Sequence, residues 1–316
     1  MGIFVGVDVS KKTLEVKIST SKDSYSILNT ASSCKKEAQK LKELGVELVV
    51  MESTGGYELN LADALWQEQL RVSIVNPRQC HSFACAKGKR AKTDPIDAKI
   101  ICEFAQAIQP KETSMPSDAQ RALYGLIQRR DQLTETITSE KNRLGTSRTD
   151  VAKDSIKRHI TFLNNERKAI DKQISETIDA CPEFQQKRDK LVAVKGIAKV
   201  SIAVLLCHLP ELGTLNKKQV AALAGLAPFN KDSGQSHGKR FISGGRSRVR
   251  SALYMVVLST IRGSGWLHAK YKYLVDCGKE KKVAIVACMR SLLVKLNAMI
   301  ASGGSWIEPV CPLPAK

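Results

Sequence analysis

The chain has 316 residues, room for two domains or one large domain with an appendage, and its 50 Lys plus Arg against 31 Asp plus Glu leave a net charge of +19. Such an excess calls for an anionic partner, nucleic acid first. Hydrophobic residues at 43% and charged residues at 26% exclude a disordered chain. Aromatics are only 5% and scattered, with no visible platform for stacking bases, so the charge acts mainly on phosphates. Nine cysteines form no C-x-x-C pair and several lie in apolar stretches, the usage of a reducing cytoplasm. No basic-then-apolar leader opens the chain, and runs such as 252–258 are too short to span a bilayer, so no membrane partner is expected.

In chain order, 3–8 and 14–18 read as strands of a hairpin joined at Ser10-Lys11-Lys12, and 25–28 reads as a third strand. A helix over 35–44 precedes the run 46–51, apolar enough for a strand buried on both faces and closed by Glu52. A helix over 59–69, a strand over 72–75 and a helix over 95–107 complete an α/β domain of ordinary size. After a Pro-containing connection, Leu123, Leu126, Leu133, Ile137 and Leu144, then Ile156, Leu163, Ile170 and Thr177, keep near-heptad spacing. Two long helices with a turn at 145–154 follow, a hairpin able to pair with a copy of itself or to lie bland on the surface. The third region is mostly helical to about Ala301, with a polar loop at 230–245. The expected segments are 1–112, 113–182 and 183–301, with a tail at 302–316.

Asp8 lies at the end of the first strand, whose core side is read as Ile3, Val5 and Val7. Alone, such an Asp is more often a cap or turn residue. Glu52 ends a second buried strand ahead of Ser53-Thr54-Gly55-Gly56, and Asp94 and Asp97 share one face at a helix start. Capping explains one of these two aspartates well; it does not explain carboxylates at the edges of three separate elements. Four such acids are what Mg²⁺ ions need to clamp a phosphodiester, and hard oxygen ligands suit Mg²⁺ better than the five scattered histidines suit zinc. Lys87, Lys89, Arg90 and Lys92, with no acid among them, abut these carboxylates and are suited to a phosphate backbone, although a solvated loop would read the same.

The order Asp8, Glu52, then Asp94-Pro95-Ile96-Asp97 after Asn76-Pro77-Arg78 resembles the DEDD transposases of the insertion-sequence "one-ten" family, which includes site-specific DNA invertases and RNA-guided bridge recombinases. The resemblance implies a RuvC-like ribonuclease H fold, a helical coiled-coil hairpin and a mainly α C-terminal transposase domain with a nucleophilic serine. The third region supports it. Residues 191–206, with Val194-Lys195-Gly196-Ile197-Ala198 between apolar helices, look like a helix-hairpin-helix; Ala198 replaces the second turn glycine, so a purely structural turn accounts for the pattern equally well. From 234 to 275 there are Lys239, Arg240, Arg246, Arg248, Arg250 and three further bases without one acid. Pro228-Phe-Asn-Lys-Asp-Ser-Gly234, His237-Gly-Lys-Arg240 and Gly244-Gly-Arg246 match the family's C-terminal signature, whose serine falls on Ser233.

The expected activity is DNA cleavage and religation by a transposase or recombinase, with Ser233 as nucleophile and Mg²⁺ on Asp8, Glu52, Asp94 and Asp97. A phosphoserine link conserves the bond energy, consistent with the absence of an ATP-binding G-x-x-x-x-G-K-[ST] loop. The partners implied are DNA at the element ends and target, a noncoding guide RNA and further copies of the chain, as a dimer or tetramer, in a bacterial cytoplasm beside the nucleoid. The alternative is a RuvC-like nuclease or Holliday junction resolvase that uses water.

Overall fold

The computed structural model describes residues 2–88, 94–229, 232–233, 236–237 and 240–308, of which 232–233 and 236–237 are described by backbone alone. The chain divides into two compact units, Met1–Pro116 and Ser117–Lys316. In the first, β1 (Ile3–Val9), β2 (Thr13–Ile18) and β3 (Tyr25–Leu28) form an antiparallel meander. After α1 (Ala31–Glu43), β4 (Val46–Glu52) pairs parallel to β1; after α2 (Leu59–Gln67), β5 (Val72–Val75) pairs parallel to β4. The order β3-β2-β1-β4-β5, a meander extended by two parallel strands through helical crossovers, is the RuvC-like ribonuclease H arrangement. Two helices follow, α3 (Pro77–Ala86) and α4 (Asp94–Ile108).

Alternation along the strands sorts the side chains between two cores. Val5, Val7, Leu14, Val16, Val49 and Met51 pack on α1 and α2, while Phe4, Leu48, Val50 and Val75 pack on α3 and α4. The sequence pattern gives β1 a single core side; both its faces are covered, because α4 lies over the face that carries Phe4, Gly6 and Asp8. The helix α3 is absent from the sequence reading, since its run Cys80-His81-Ser82-Phe83-Ala84-Cys85 shows no apolar period even though Asn76 and Pro77 make a good start.

The second unit begins with a hairpin of α5 (Asp118–Thr146) and α6 (Asp150–Ala180), whose turn is tighter than the pattern suggests. Its heptad seam closes on itself: Leu133, Ile137 and Leu163 are buried together, with Ile170 against them. Leu123, Ile127, Ile174 and Ile178, at its base, join the core of α7 (Pro182–Val192), α8 (Lys199–His208), α9 (Lys217–Leu223), α10 (Ser247–Thr260), α11 (Trp266–Asp276) and α12 (Lys281–Ser302). Among the described residues α12 is the one helix long and apolar enough to cross a membrane. It is half buried inside this unit, with Cys288, Leu292, Leu293 and Leu296 in the core. Counting uninterrupted apolar runs passes over it because Lys281, Lys282, Arg290 and Lys295 interrupt it.

Between α9 and α10 the polar loop is a two-part ribbon. β6 (Pro228–Phe229) pairs with β9 (Phe241–Ile242), and β7 (Asp232–Ser233) pairs with β8 (Ser236–His237).

Candidate active site

The register of the first sheet brings the acids together. Val7 pairs with Met51 across β1 and β4, so Asp8 and Glu52 stand one residue further on in adjacent parallel strands. Both share the parity of the residues facing α4: Phe4 and Gly6 in β1, Leu48 and Val50 in β4. α4 lies on that face and starts with Asp94 and Asp97 in its first turn. Asp8, Glu52, Asp94 and Asp97 accordingly line one cavity of about 660 Å³, with Cys80, His81 and Cys85 of α3 on its wall. What lets α4 come this close is Gly6, where a Cβ would stand 2.1 Å from the Cys102 amide nitrogen and 2.6 Å from the Ala98 carbonyl oxygen.

Two polar side chains that the sequence reading missed hold the loops around this cavity. Glu58, 6% exposed, accepts from the Thr54 amide at 3.2 Å, the Thr54 hydroxyl at 2.8 Å and the Gly56 amide at 2.8 Å. That carboxylate folds the loop leaving Glu52. Asn29 Nδ2 donates to the Ser10 and Tyr57 carbonyls, each at 2.9 Å, tying the β1–β2 turn to the end of the same loop. Their signal lay in buried polar identity, which a sequence without depth information does not display. A fifth carboxylate, Glu15, sits directly across from Asp8 in the β1–β2 ladder and accepts a hydrogen bond from Ser24.

Cys80 is 2% exposed, and burial, then the charge of Glu52 and a hydrogen bond to it, push its thiol up to about 12. Its thiol is a donor to Glu52. The four carboxylates from three elements make a hard-oxygen donor set, which fits a divalent cation such as Mg²⁺. Among the described residues no three His, Cys, Asp or Glu side chains are already close enough to form a cluster that could hold a metal. The acids ring a cavity.

In the second unit the ribbon places Ser233 at the end of β7, paired with Ser236 of β8. Lys89, Arg90, Lys92 and Lys239 lie outside the described residues. Lys87 bridges to Glu103 at 2.7 Å, and Arg240 is exposed beside β9. The other three arginines already have partners inside the protein. Arg246 pairs with Glu211 through both terminal nitrogens and donates to the His208 carbonyl at 3.1 Å. Arg248, half exposed, meets Asp131 at 2.5 Å. Arg250 Nη1 donates to the Ala224 carbonyl at 3.2 Å and the Gly244 carbonyl at 2.5 Å, joining the two feet of the ribbon loop. At the helix-hairpin-helix-like turn Gly196 packs against Thr260, and the Ile197 amide is bonded to the Val194 carbonyl. That favours the structural reading of this turn.

Comparison with known proteins matches both units. Residues 5–147 fit a transposase model of DEDD IS110 type, and residues 188–272 fit the model of the IS116/IS110/IS902 transposase family. The chain is 28% identical over 314 residues to the pilin gene-inverting proteins of Moraxella lacunata and Moraxella bovis, covering 94% of this chain and 95% of each relative. It is 25% identical over 203 residues to an insertion element IS110 protein of 43.6 kDa from Streptomyces coelicolor, covering 63% of this chain and 47% of that protein. T. thermophilus RuvC in complex with a Holliday junction substrate overlaps 36% of this chain and all of its own, at 12% identity and a TM-score of 0.29. The fold assignment rests on the sheet order, not on that overlap. Two models of one family thus account for most of both units, and the chain belongs to the IS110/IS116/IS902 family of DNA transposases.

Proposed function

We propose that the protein cuts and rejoins DNA through a phosphoserine link, with Ser233 as nucleophile and Asp8, Glu52, Asp94 and Asp97 as the carboxylates that hold Mg²⁺. The observation that carries this reading is the gathering of the four acids around one cavity on one sheet face. Bound there, Mg²⁺ would supply charge stabilisation to the phosphate in the transition state. The Ser233 oxygen attacks the scissile phosphorus and gives up its proton, while the bond to the departing deoxyribose oxygen breaks and that oxygen takes up a proton. The reverse attack by the hydroxyl of a new strand releases the serine, so one phosphodiester is exchanged for another and no ATP is needed. Glu58 and Asn29 keep the loops beside Asp8 and Glu52 in place, and the Cys80 thiol donates to Glu52 without competing for a hard cation.

We read the chain as three working segments, 1–112 for the acids, 113–182 for a helical spacer that joins copies into a dimer or tetramer, and 183–301 for the serine. The natural substrates are element ends and target DNA, selected through a noncoding guide RNA, in a bacterial cytoplasm at the nucleoid. Family membership and the +19 charge support this set of partners. Inversion is the event suggested by the Moraxella relatives.

The test is adduct trapping on a nicked duplex, followed by protease digestion and mass spectrometry. Wild type and Ser236→Ala give an adduct on Ser233; Ser233→Ala binds DNA and gives neither adduct nor cleavage. Asp8→Asn, Glu52→Gln, Asp94→Asn and Asp97→Asn each lower cleavage by at least about a hundredfold with circular dichroism unchanged. Efficient cleavage with no adduct would identify a water-using nuclease instead.

A further inference from the structure

The ribbon that carries Ser233 also carries an aromatic pair that a linear reading does not bring together. Phe229 of β6 and Phe241 of β9 are directly paired in the antiparallel register, so their rings stand on the same face of the ribbon. They are 53% and 44% exposed, unusual for two phenylalanines side by side. The other face is spoken for: Ile242, next along β9, is partly buried against the core of the second unit. Because successive strand residues point to opposite faces, anchoring Ile242 turns Phe241 and its partner away from the core. The exposed cation Arg240 precedes Phe241 in the stretch 234–275, where eight Lys or Arg occur without an acid; Phe229 lies ahead of that stretch, with Asp232 between.

We propose that Phe229 and Phe241 form a stacking platform for DNA bases close to the phosphate that is cut. Ser233 is four residues beyond Phe229, a chain reach of at most about 14 Å, which spans no more than about four nucleotides of a strand. Every base offers a π-face, so such a pair holds bases without reading sequence, while the adjacent guanidinium suits the backbone. Unstacked bases next to the cut expose the phosphate to attack and leave the strand free to move to a new partner. A protein surface, such as a second copy of the chain, would also cover two phenylalanines. The exposed Arg240 next to Phe241 and the net charge of +19 favour a polyanion instead.

This inference rests on reading the ribbon as the DNA-cutting element, and the experiment separates the two. The probes are a single-stranded oligonucleotide containing 2-aminopurine and an abasic oligomer with the same number of phosphates, each titrated into full-length protein. Wild type quenches the 2-aminopurine and prefers the base-bearing strand. The Phe229→Ala/Phe241→Ala variant loses the quench and roughly 5- to 150-fold in affinity for that strand, while binding to the abasic oligomer is unchanged. Replacement of both by Tyr keeps quench and affinity; replacement by Leu, apolar but without a π-face, behaves as Ala does. Leu variants with wild-type affinity, equal losses on both probes, or a lowered oligomeric state with the quench intact would each overturn the platform. An intact quench in wild-type protein that never forms an adduct on Ser233 would sink the nucleophile and leave the platform standing.

Discussion

At Gly6 a methyl group would have to sit 2.1 Å from a backbone nitrogen of α4, and no side-chain rotation relieves a clash between two backbones. The same helix delivers Asp94 and Asp97, so the glycine sets how near two of the four acids come to the other two. Gly6→Ala should cost about 2–3 kcal/mol or more in urea unfolding and abolish cleavage even where some fold survives. A variant with wild-type activity would show that α4 is not seated this way. His208 supports a second prediction. Its pKa is lowered from 6.5, first by burial and then by the charges of Arg248 and Arg246, against an opposing pull from Asp131. The unfolded chain thus binds the proton more readily than the folded one. The stability from a neutral His208 is complete above about pH 6.5 and is lost as pH falls below it. Urea midpoints measured from pH 7.5 to 5.5 should decline, and His208→Gln should flatten part of that slope.

Among the elements, the neck of the serine ribbon is held by one arginine and two glycines. Gly225 and Gly245 both have positive φ, and a Cβ on Gly245 would meet the Gly225 nitrogen at 2.1 Å. Arg250 clamps the carbonyls on either side, and the Arg246 amide reaches the Leu223 carbonyl at 2.8 Å. Arg250→Lys should therefore lower stability by about 1.5–3 kcal/mol, the worth of hydrogen bonds from a charged donor, and reduce adduct formation with little change in DNA affinity. A uniform loss of affinity would return Arg250 to the phosphate contacts. The hairpin needs the same attention to direction. Leu133 and Ile170 fill its own seam, so Lys at either position would unfold the hairpin and say nothing clean about assembly. Its outward apolar residues are Phe162 and Val151, 59% and 85% exposed. If the hairpin joins copies, Phe162→Lys should lower the oligomeric state in light scattering while helicity is kept.

These cases also show what the sequence could carry. Strand positions were legible because β-branched runs with period two have few other uses, and 25–28 and 72–75 coincide with β3 and β5. Asp8, Glu52, Asp94 and Asp97 were legible because each sits where an element begins or ends. Charge alone, by contrast, does not tell an arginine that meets solvent from one that meets Glu211 or a carbonyl. The aromatic pair escaped notice for a similar reason, its two members being twelve residues apart across a loop with no apolar period.

Over the whole molecule the surplus charge decides how binding responds to salt. An ion pair such as Arg246–Glu211, Arg248–Asp131 or Arg130–Asp171 consumes one charge of each sign, so it leaves the surplus of +19 untouched. Cations engaged by carbonyls keep their charge but are turned away from a partner: Lys17, bonded to the Ser21 and Lys22 carbonyls, and Arg250, bonded to the Gly244 carbonyl. A net surplus that no acid balances favours a polyanion. If six to ten phosphates are neutralised, affinity measured by fluorescence anisotropy should fall by about 10³–10⁵ between 50 and 200 mM salt. The slope also separates the arginines. Arg240→Gln, on the exposed flank of the ribbon, should reduce it by about one, as a phosphate contact does, whereas Arg246→Gln should weaken the fold and leave the slope in place. A flat salt dependence in the wild type would mean that the surplus serves something other than a phosphate backbone.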